Sequence, residues 1–449
     1  MSGRNQLQKE KLQYGSLYSQ CAVAGANGEV SPKCVDKESW IVWDGKVWKN
    51  DDIGRPRELA KQIALDLLAE ARTLEGNDQA ESQLKKSLKS HANSTIQNPF
   101  RILEYVSSDP EIAISSRQLD LDVELINCQN GILDLKKCEL LPHDPAHFMT
   151  KSLSASYFAE AKSDLWQSVL DLFTDGDLEL QKFLARVYGG LGLPADNPAQ
   201  RFIVLYGPGA NGKSKFIGAI QHVMGDYCDV LRQEVLTSRS SGDFRHDVAD
   251  LKEARFIVAS EPPQGAQLNT SLIKELTGGD LIKGRHNYGA SETFKCKGLI
   301  TLTTNWLPEI DPGDIALKRR ILIYRHDSTI PADKRIDDLH VQLESPESES
   351  AILKWLLDGR RDFLQNGLAI PDKVLSDTDN FLEQKDVFES FLIEKCVYSG
   401  TSVDFTTTEP VSPKNVKVPI PRFISPRLTL ESILCRGVPS IVLIQKCTI

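Results

Sequence analysis

Apolar positions change their spacing several times along the 449-residue chain. In "WIVWDGKVWKNDD" (40 to 52), alternation of Trp40, Val42 and Trp48 about an Asp44-Gly45 turn predicts a short hairpin. Its tryptophans read as a small core before a base-stacking platform. "RELAKQIALDLLAEARTLE" then carries apolar residues at helical spacing, and "GNDQAESQLKKSLKSHANST" is polar, helical or linker-like. A boundary near residue 97 closes this lead-in, residues 1–97. From 98 to 190 helical and extended pieces alternate, with Asn130-Gly131 placed as a hairpin turn in "ELINCQNGILDLKKCELLPHDP".

Between 201 and 326 the apolar runs "RFIVLY", "RFIVAS", "KGLITLTTN" and "RRILIYR" alternate with helical segments, which predicts an α/β sheet flanked by helices. Residues 331–400 read as amphipathic helices. The tail, 401–449, has prolines at 410, 413, 419, 421, 426 and 439, and after Glu409 its only acid is Glu431. Weak or no regular structure is expected there.

Composition narrows the class. With 41% hydrophobic and 26% charged residues the chain reads as a soluble globular protein of several units. No apolar run of membrane-spanning length or secretory leader is legible, so a cytoplasmic protein with no membrane partner is expected. Nine cysteines lie without a Cys-x-x-Cys pair or histidines at zinc spacing, and read as reduced, buried thiols. A formal charge of −9 argues against wholesale coating of nucleic acid but leaves room for a local basic grip.

The strongest chemical signal is "GPGANGKSK". Gly207, Pro208, Gly209, Ala210, Asn211, Gly212, Lys213 and Ser214 satisfy Gly-x-x-x-x-Gly-Lys-Ser between a β-branched strand and a helix, with Lys215 following. Such a loop turns backbone N–H groups inward at a helix N-terminus, where an anion is favoured. Lys213 would neutralise nucleotide phosphates and Ser214 would ligate magnesium, making ATP and Mg2+ the expected cofactors. Glu261, closing "RFIVASE", is the carboxylate expected beside that metal, although Ser260 stands where an aspartate is common in such loops' partners. Asn305, closing "LITLTTN", could hold an attacking water.

Arg319 and Arg320 precede the last strand, suited to stabilising charge on a neighbour's triphosphate or, equally, to surface salt bridges. Glycines flanking Lys283, Arg285 and His286 suggest an exposed basic hairpin, which alone would read as a solvated turn. Asp120-Leu121-Asp122 lacks the companions of a polymerase metal dyad and reads as surface carboxylates.

In this order "GPGANGKS", "RFIVASE", "IKELTGGDLIKGRHNYGASETFKCKGLITLTTN" and "RRI" resemble the superfamily 3 helicases of the AAA+ class. Within that class the resemblance is to the phage and plasmid primase-helicases related to the poxvirus primase-helicase. The resemblance runs over roughly 98–400, including "LINCQNGILDLKKCELLPHDPAHFMTKS". It implies an AAA+-like P-loop NTPase core at 191–330, a mainly helical domain before it at 98–190, and a helical C-terminal segment at 331–400. It further implies an ATP-hydrolysing DNA helicase in a ring, a hexamer, drawing single-stranded DNA from a fork in a bacterial host cell, with a primase or other replication proteins as partners. Lys213 and Ser214 then hold phosphate and magnesium, Glu261 is the acidic motif and Asn305 the polar sensor. Arg320 best matches the trans-acting arginine with Arg319 as its near alternative, and Lys283, Arg285 and His286 track DNA. Lys274 is a weaker candidate for a contact across the interface. No primase constellation is legible in 1–97, and 401–449 does not read as the winged helix with which relatives finish, which suggests an altered C-terminus. Two alternatives remain: the helicase part of a primase-helicase whose primer synthesis lies elsewhere, or an ATP-switched DNA-binding or loading protein that does not unwind.

Overall fold

The computed structural model of the chain describes residues 30–75, 77–237, 248–285, 291–310, 314–331 and 335–383. The expected tail at 401–449 lies outside them. The first sheet has four strands in the order β3-β2-β1-β4, from Lys33–Val35 (β1), Ser39–Trp43 (β2), Trp48–Asn50 (β3) and Ala113–Ile114 (β4). The expected hairpin forms, with Asp44 Oδ1 accepting the N–H groups of Lys46 and Val47 across the turn.

Its inward face differs from the expected one. Trp43 stands opposite Trp48, so the period of two puts Ile41, Trp43 and Trp48 together and sends Trp40 and Val42 to the other side. Trp48 is buried, stacks on Phe148 at 5.8 Å and donates from Nε1 to the Pro145 carbonyl. Trp40 instead packs partly buried against a second cluster of Cys34, Ala60, Ile63, Leu103, Val106 and Ile112. That cluster is roofed by helices Arg55–Thr73 and Pro99–Val106, and helix Gln79–Gln97 packs beside the first of them.

The stretch 98–190 is not mainly helical. Among the described residues no α-helix lies between 107 and 163; the chain there builds the antiparallel meander Leu125–Cys128 (β5), Gly131–Asp134 (β6) and Glu139–Leu141 (β7). Residues 129 and 130 form the turn, with Gly131 already paired to Cys128. Asp120 is no surface carboxylate either: it accepts the N–H and the hydroxyl of Thr150, and burial raises its pKa. Helices follow only at Asp164–Thr174 and Leu178–Ala185, continued by a wide π turn at Arg186–Gly192.

The second sheet has five strands, Phe202–Tyr206 (β8), Cys228–Leu231 (β9), Phe256–Ala259 (β10), Leu299–Thr304 (β13) and Ile321–Arg325 (β14). All pairs are parallel, in the order β14-β8-β13-β10-β9. Ile282–Arg285 (β11) and Ser291–Phe294 (β12) pair as a separate antiparallel ribbon inserted between β10 and β13. Uninterrupted apolar strands are what a parallel sheet covered on both faces demands. Phe173, Phe216 and Trp166 stack within one continuous core that also takes in Tyr188, Phe256 and Tyr324.

Helices Leu339–Leu343, Pro346–Asn366 and Asp372–Glu383 make the stretch after residue 335 helical. The second of them lies backbone to backbone on the π turn. A Cβ on Gly189 would meet the Leu356 carbonyl oxygen at 1.9 Å, and one on Gly359 the Ala185 carbonyl oxygen at 2.0 Å. Among the described residues no helix is long and apolar enough to cross a membrane.

Candidate functional site

Parallel pairing sets the carboxyl ends of β8, β10 and β13 at one edge of the sheet, where open α/β sheets form their ligand crevices. From Tyr206 the chain turns through residues 207–212 into helix Lys213–Met224. Glycine is required twice. A Cβ on Gly207 would stand 1.9 Å from the His326 carbonyl oxygen, and Gly212 holds φ at 88°, in the left-handed region. Asn211, buried, donates from Nδ2 to that same carbonyl and ties the loop to the exit of β14.

Lys213 is only 6% exposed, and four oxygens share the three N–H donors of its Nζ: the carbonyls of Gly207 (2.7 Å) and Pro208 (3.1 Å), and Oδ1 of Asn211 (2.9 Å) and of Asn305 (3.1 Å). Burial lowers its pKa, against the upward pull of the Glu261 carboxylate. Asn305 completes a chain between the two. Its backbone N–H donates to Glu261 Oε1 at 2.6 Å and its side-chain amide to Oε2 at 3.3 Å. An ammonium, an amide and a carboxylate from three successive motifs are thus linked over a cavity of about 260 Å³. Gly209, Ala210, Ser214 and Lys215 line the same cavity.

Two contributors were not legible in the sequence. Thr304 donates to the Trp306 carbonyl and lies 3.5 Å from Glu261 Oε1; a hydroxyl just before Asn305 in an apolar strand was its only signal. A second cavity of about 260 Å³ shares Ala210, Gly212 and Lys215 with the first and is otherwise apolar, lined by Val169, Leu172, Ile330, Ile336 and Leu339 beside Arg335. Its walls come from distant segments, so no local pattern marks it.

The remaining residues lie apart. Arg319 and Arg320 sit at the amino end of β14, whose Ile321 pairs with Phe202 at the start of β8. At about 3.3 Å per residue that is roughly 20 Å from the loop. Arg320 is buried, with Nη1 on the Ala316 carbonyl at 2.7 Å and its pKa lowered by burial and by Arg319. Arg319 is exposed. Exposure therefore favours Arg319, against the order expected from the motif, as the arginine able to meet another molecule. Lys274 is engaged within the chain, 2.9 Å from Asp314. Lys283 is exposed on β11 and Arg285 ends that strand; His286 lies outside the described residues.

Among the described residues no three His, Cys, Asp or Glu side chains gather as a metal cluster. One hydroxyl, Ser214, and one carboxylate, Glu261, on the loop cavity fit a hard cation that keeps most of its shell as water and phosphate oxygen, as Mg2+ does.

Comparison with known proteins places this site in context. Residues 31–175 match the family described as "D5 N terminal like", which spans the four-stranded sheet, the meander and the first core helix. A helicase-named protein of Acanthamoeba polyphaga mimivirus is 25% identical over 330 residues, 69% of this chain and 34% of its own length. A helicase-named protein of Sputnik virophage is 26% identical over 174 residues, 35% of this chain and 22% of its own. The chain thus spans about a third and about a fifth of these relatives. An apo structure of the NrS-1 C terminal region aligns at 11% identity and a TM-score of 0.39, covering 54% of this chain and 61% of that one. The family match and the helicase-named relatives agree with the resemblance to primase-helicases that the chain's motifs carry.

Proposed function

We propose that the chain is the ATP-driven motor of a DNA helicase in phage or plasmid replication. The observation that carries this reading is the linkage of Lys213, Asn305 and Glu261 across the loop cavity at the ends of β8, β13 and β10. Lys213 would exchange its loop carbonyls for nucleotide phosphate oxygens, the change that most increases its charge compensation. Ser214 and Glu261 would hold Mg2+, which supplies charge neutralisation on the phosphates. Asn305, fixed on both sides, would position water for attack, and Glu261 would accept a proton from it. The adjoining apolar cavity is of a size and character suited to the nucleotide's base. Arg319 lies too far from its own loop to act there, so it would serve the site of the next subunit in a ring, which we take to be a hexamer, in the cytoplasm of a bacterial host. Lys283, Arg285 and His286 would follow single-stranded DNA from a fork, and primer synthesis would fall to another chain or segment.

The test is ATP hydrolysis with and without single-stranded DNA beside displacement of a forked duplex. DNA-stimulated hydrolysis that disappears in Lys213→Ala, with binding kept but turnover reduced about tenfold or more in Asn305→Ala, is the expected result. Hydrolysis indifferent to DNA, with no strand displaced, would sink the motor reading in favour of a nucleotide-switched DNA-binding protein.

A further inference from the structure

A third cavity, about 650 Å³, opens on the N-terminal sheet, remote in sequence from the loop at 207–214, Glu261 and Asn305. Its apolar surfaces are Trp40, Pro56, Leu103 and Phe100. Phe100, at the first turn of helix Pro99–Val106, is 56% exposed, and the Arg57 guanidinium lies 4.3 Å from its ring centroid. Ring and guanidinium together make a flat, weakly hydrated wall, and Trp40, packed partly buried on the cluster around Leu103, offers a second aromatic surface.

We propose that this cleft receives an unpaired nucleobase, stacked on Phe100 or Trp40, with Lys37 and Arg57 meeting the phosphate beside it. Base faces stack on aromatic rings and guanidinium planes whatever their sequence. Ser39 and Asn50, also on the cavity, supply donors and acceptors for a base edge. The charges are arranged unevenly. Asp51 accepts the N–H groups of Gly54 and Arg55 at the start of helix Arg55–Thr73, with one oxygen held by the backbone, and keeps its negative charge on that side of the cleft. Lys37, exposed at a turn tip with φ at 64°, and Arg57 stay available to phosphate, whereas Glu38 and Glu104 disfavour it on their side.

The experiment is ultraviolet cross-linking of an iododeoxyuridine-substituted oligothymidylate to the whole chain, with adducts mapped by peptide mass spectrometry, in wild type, Phe100→Ala and Lys37→Ala. Adducts are expected on the peptides holding Trp40 or Phe100, falling about tenfold in Phe100→Ala. Because Phe100 and Lys37 are exposed, thermal midpoints should not move. Competition by free thymidine monophosphate at equal base concentration marks a monomer site, and its failure to compete marks a strand site; both support a base. Adducts confined to the β11–β12 ribbon would overturn the cleft while leaving the motor reading intact. Cleft adducts without DNA-stimulated hydrolysis would do the reverse.

Discussion

At the scale of single residues, two neighbouring arginines are separated by burial, which spacing could not resolve. Arg320 is held by the Ala316 carbonyl inside the chain, and Arg319 faces outward. Arg319→Ala is therefore expected to reduce hydrolysis by about tenfold or more with an unchanged melting temperature. Arg320→Ala should lower the melting temperature first, by leaving the Ala316 carbonyl without its donor. Steady-state rates and thermal melts on the same preparations decide between them. His326, 1% exposed between Phe173 and Tyr324, has its pKa lowered from 6.5 by burial, opposed by Asp175 at 4.0 Å. A base whose folded pKa is depressed binds fewer protons when native. The stability it permits is therefore complete above pH 6.5 and is lost as pH falls towards its folded value. His326→Phe should shrink the drop in melting temperature between about pH 7.5 and about pH 5.

At the scale of elements, close backbone approach governs the packing of helix Pro346–Asn366. Gly359→Val would drive a side chain into the Ala185 carbonyl and should cost about 2–4 kcal/mol in denaturant unfolding. Gly218, in the loop-following helix with nothing within 4 Å of its would-be Cβ, is the opposite case. Gly218→Ala should stabilise by about 0.5–1 kcal/mol. The elements also divide by how they could be read. Four strands of the parallel sheet were legible because burial on both faces leaves them apolar runs, whereas the edge strand β9, with Asp229 within it and Val230 exposed, was not; the loop was legible because its glycines answer to steric demands at 207 and 212. The meander at 125–141 was seen as one hairpin inside a domain expected to be helical: β7 is three residues long and too short to show a period. The partition of Trp40 from Trp48 depended on which residues face each other across the turn, and only the pairing of Trp43 with Trp48 settles that. The apolar second cavity was illegible because residues from 169 to 339 converge on it.

At the scale of the whole molecule, two buried arginines anchor the meander, Arg255 to the parallel sheet and Arg360 to helix Pro346–Asn366. Arg255, just before β10, donates to the carbonyls of Leu125 and Leu193, and Arg360 donates to the carbonyls of Leu135 and Gly190 and pairs with Glu124 at 2.8 Å. If neighbours in a ring complete each other's sites, mixing inactive Lys213→Ala with inactive Arg319→Ala should restore about a quarter of wild-type hydrolysis, the fraction of random contacts that join two intact halves. No recovery on mixing would overturn the assignment of Arg319 to the neighbouring subunit's site. The ribbon β11–β12 forms its own two-stranded sheet, yet its feet lie between the strands that end in Glu261 and Asn305. If the ribbon holds DNA as proposed, grip and engine are separable in inheritance. Under the proposed reading, substitutions on the ribbon could be tried by selection, or by a designer, apart from the linkage of Lys213, Asn305 and Glu261, so that one motor could be fitted to many nucleic-acid tracks.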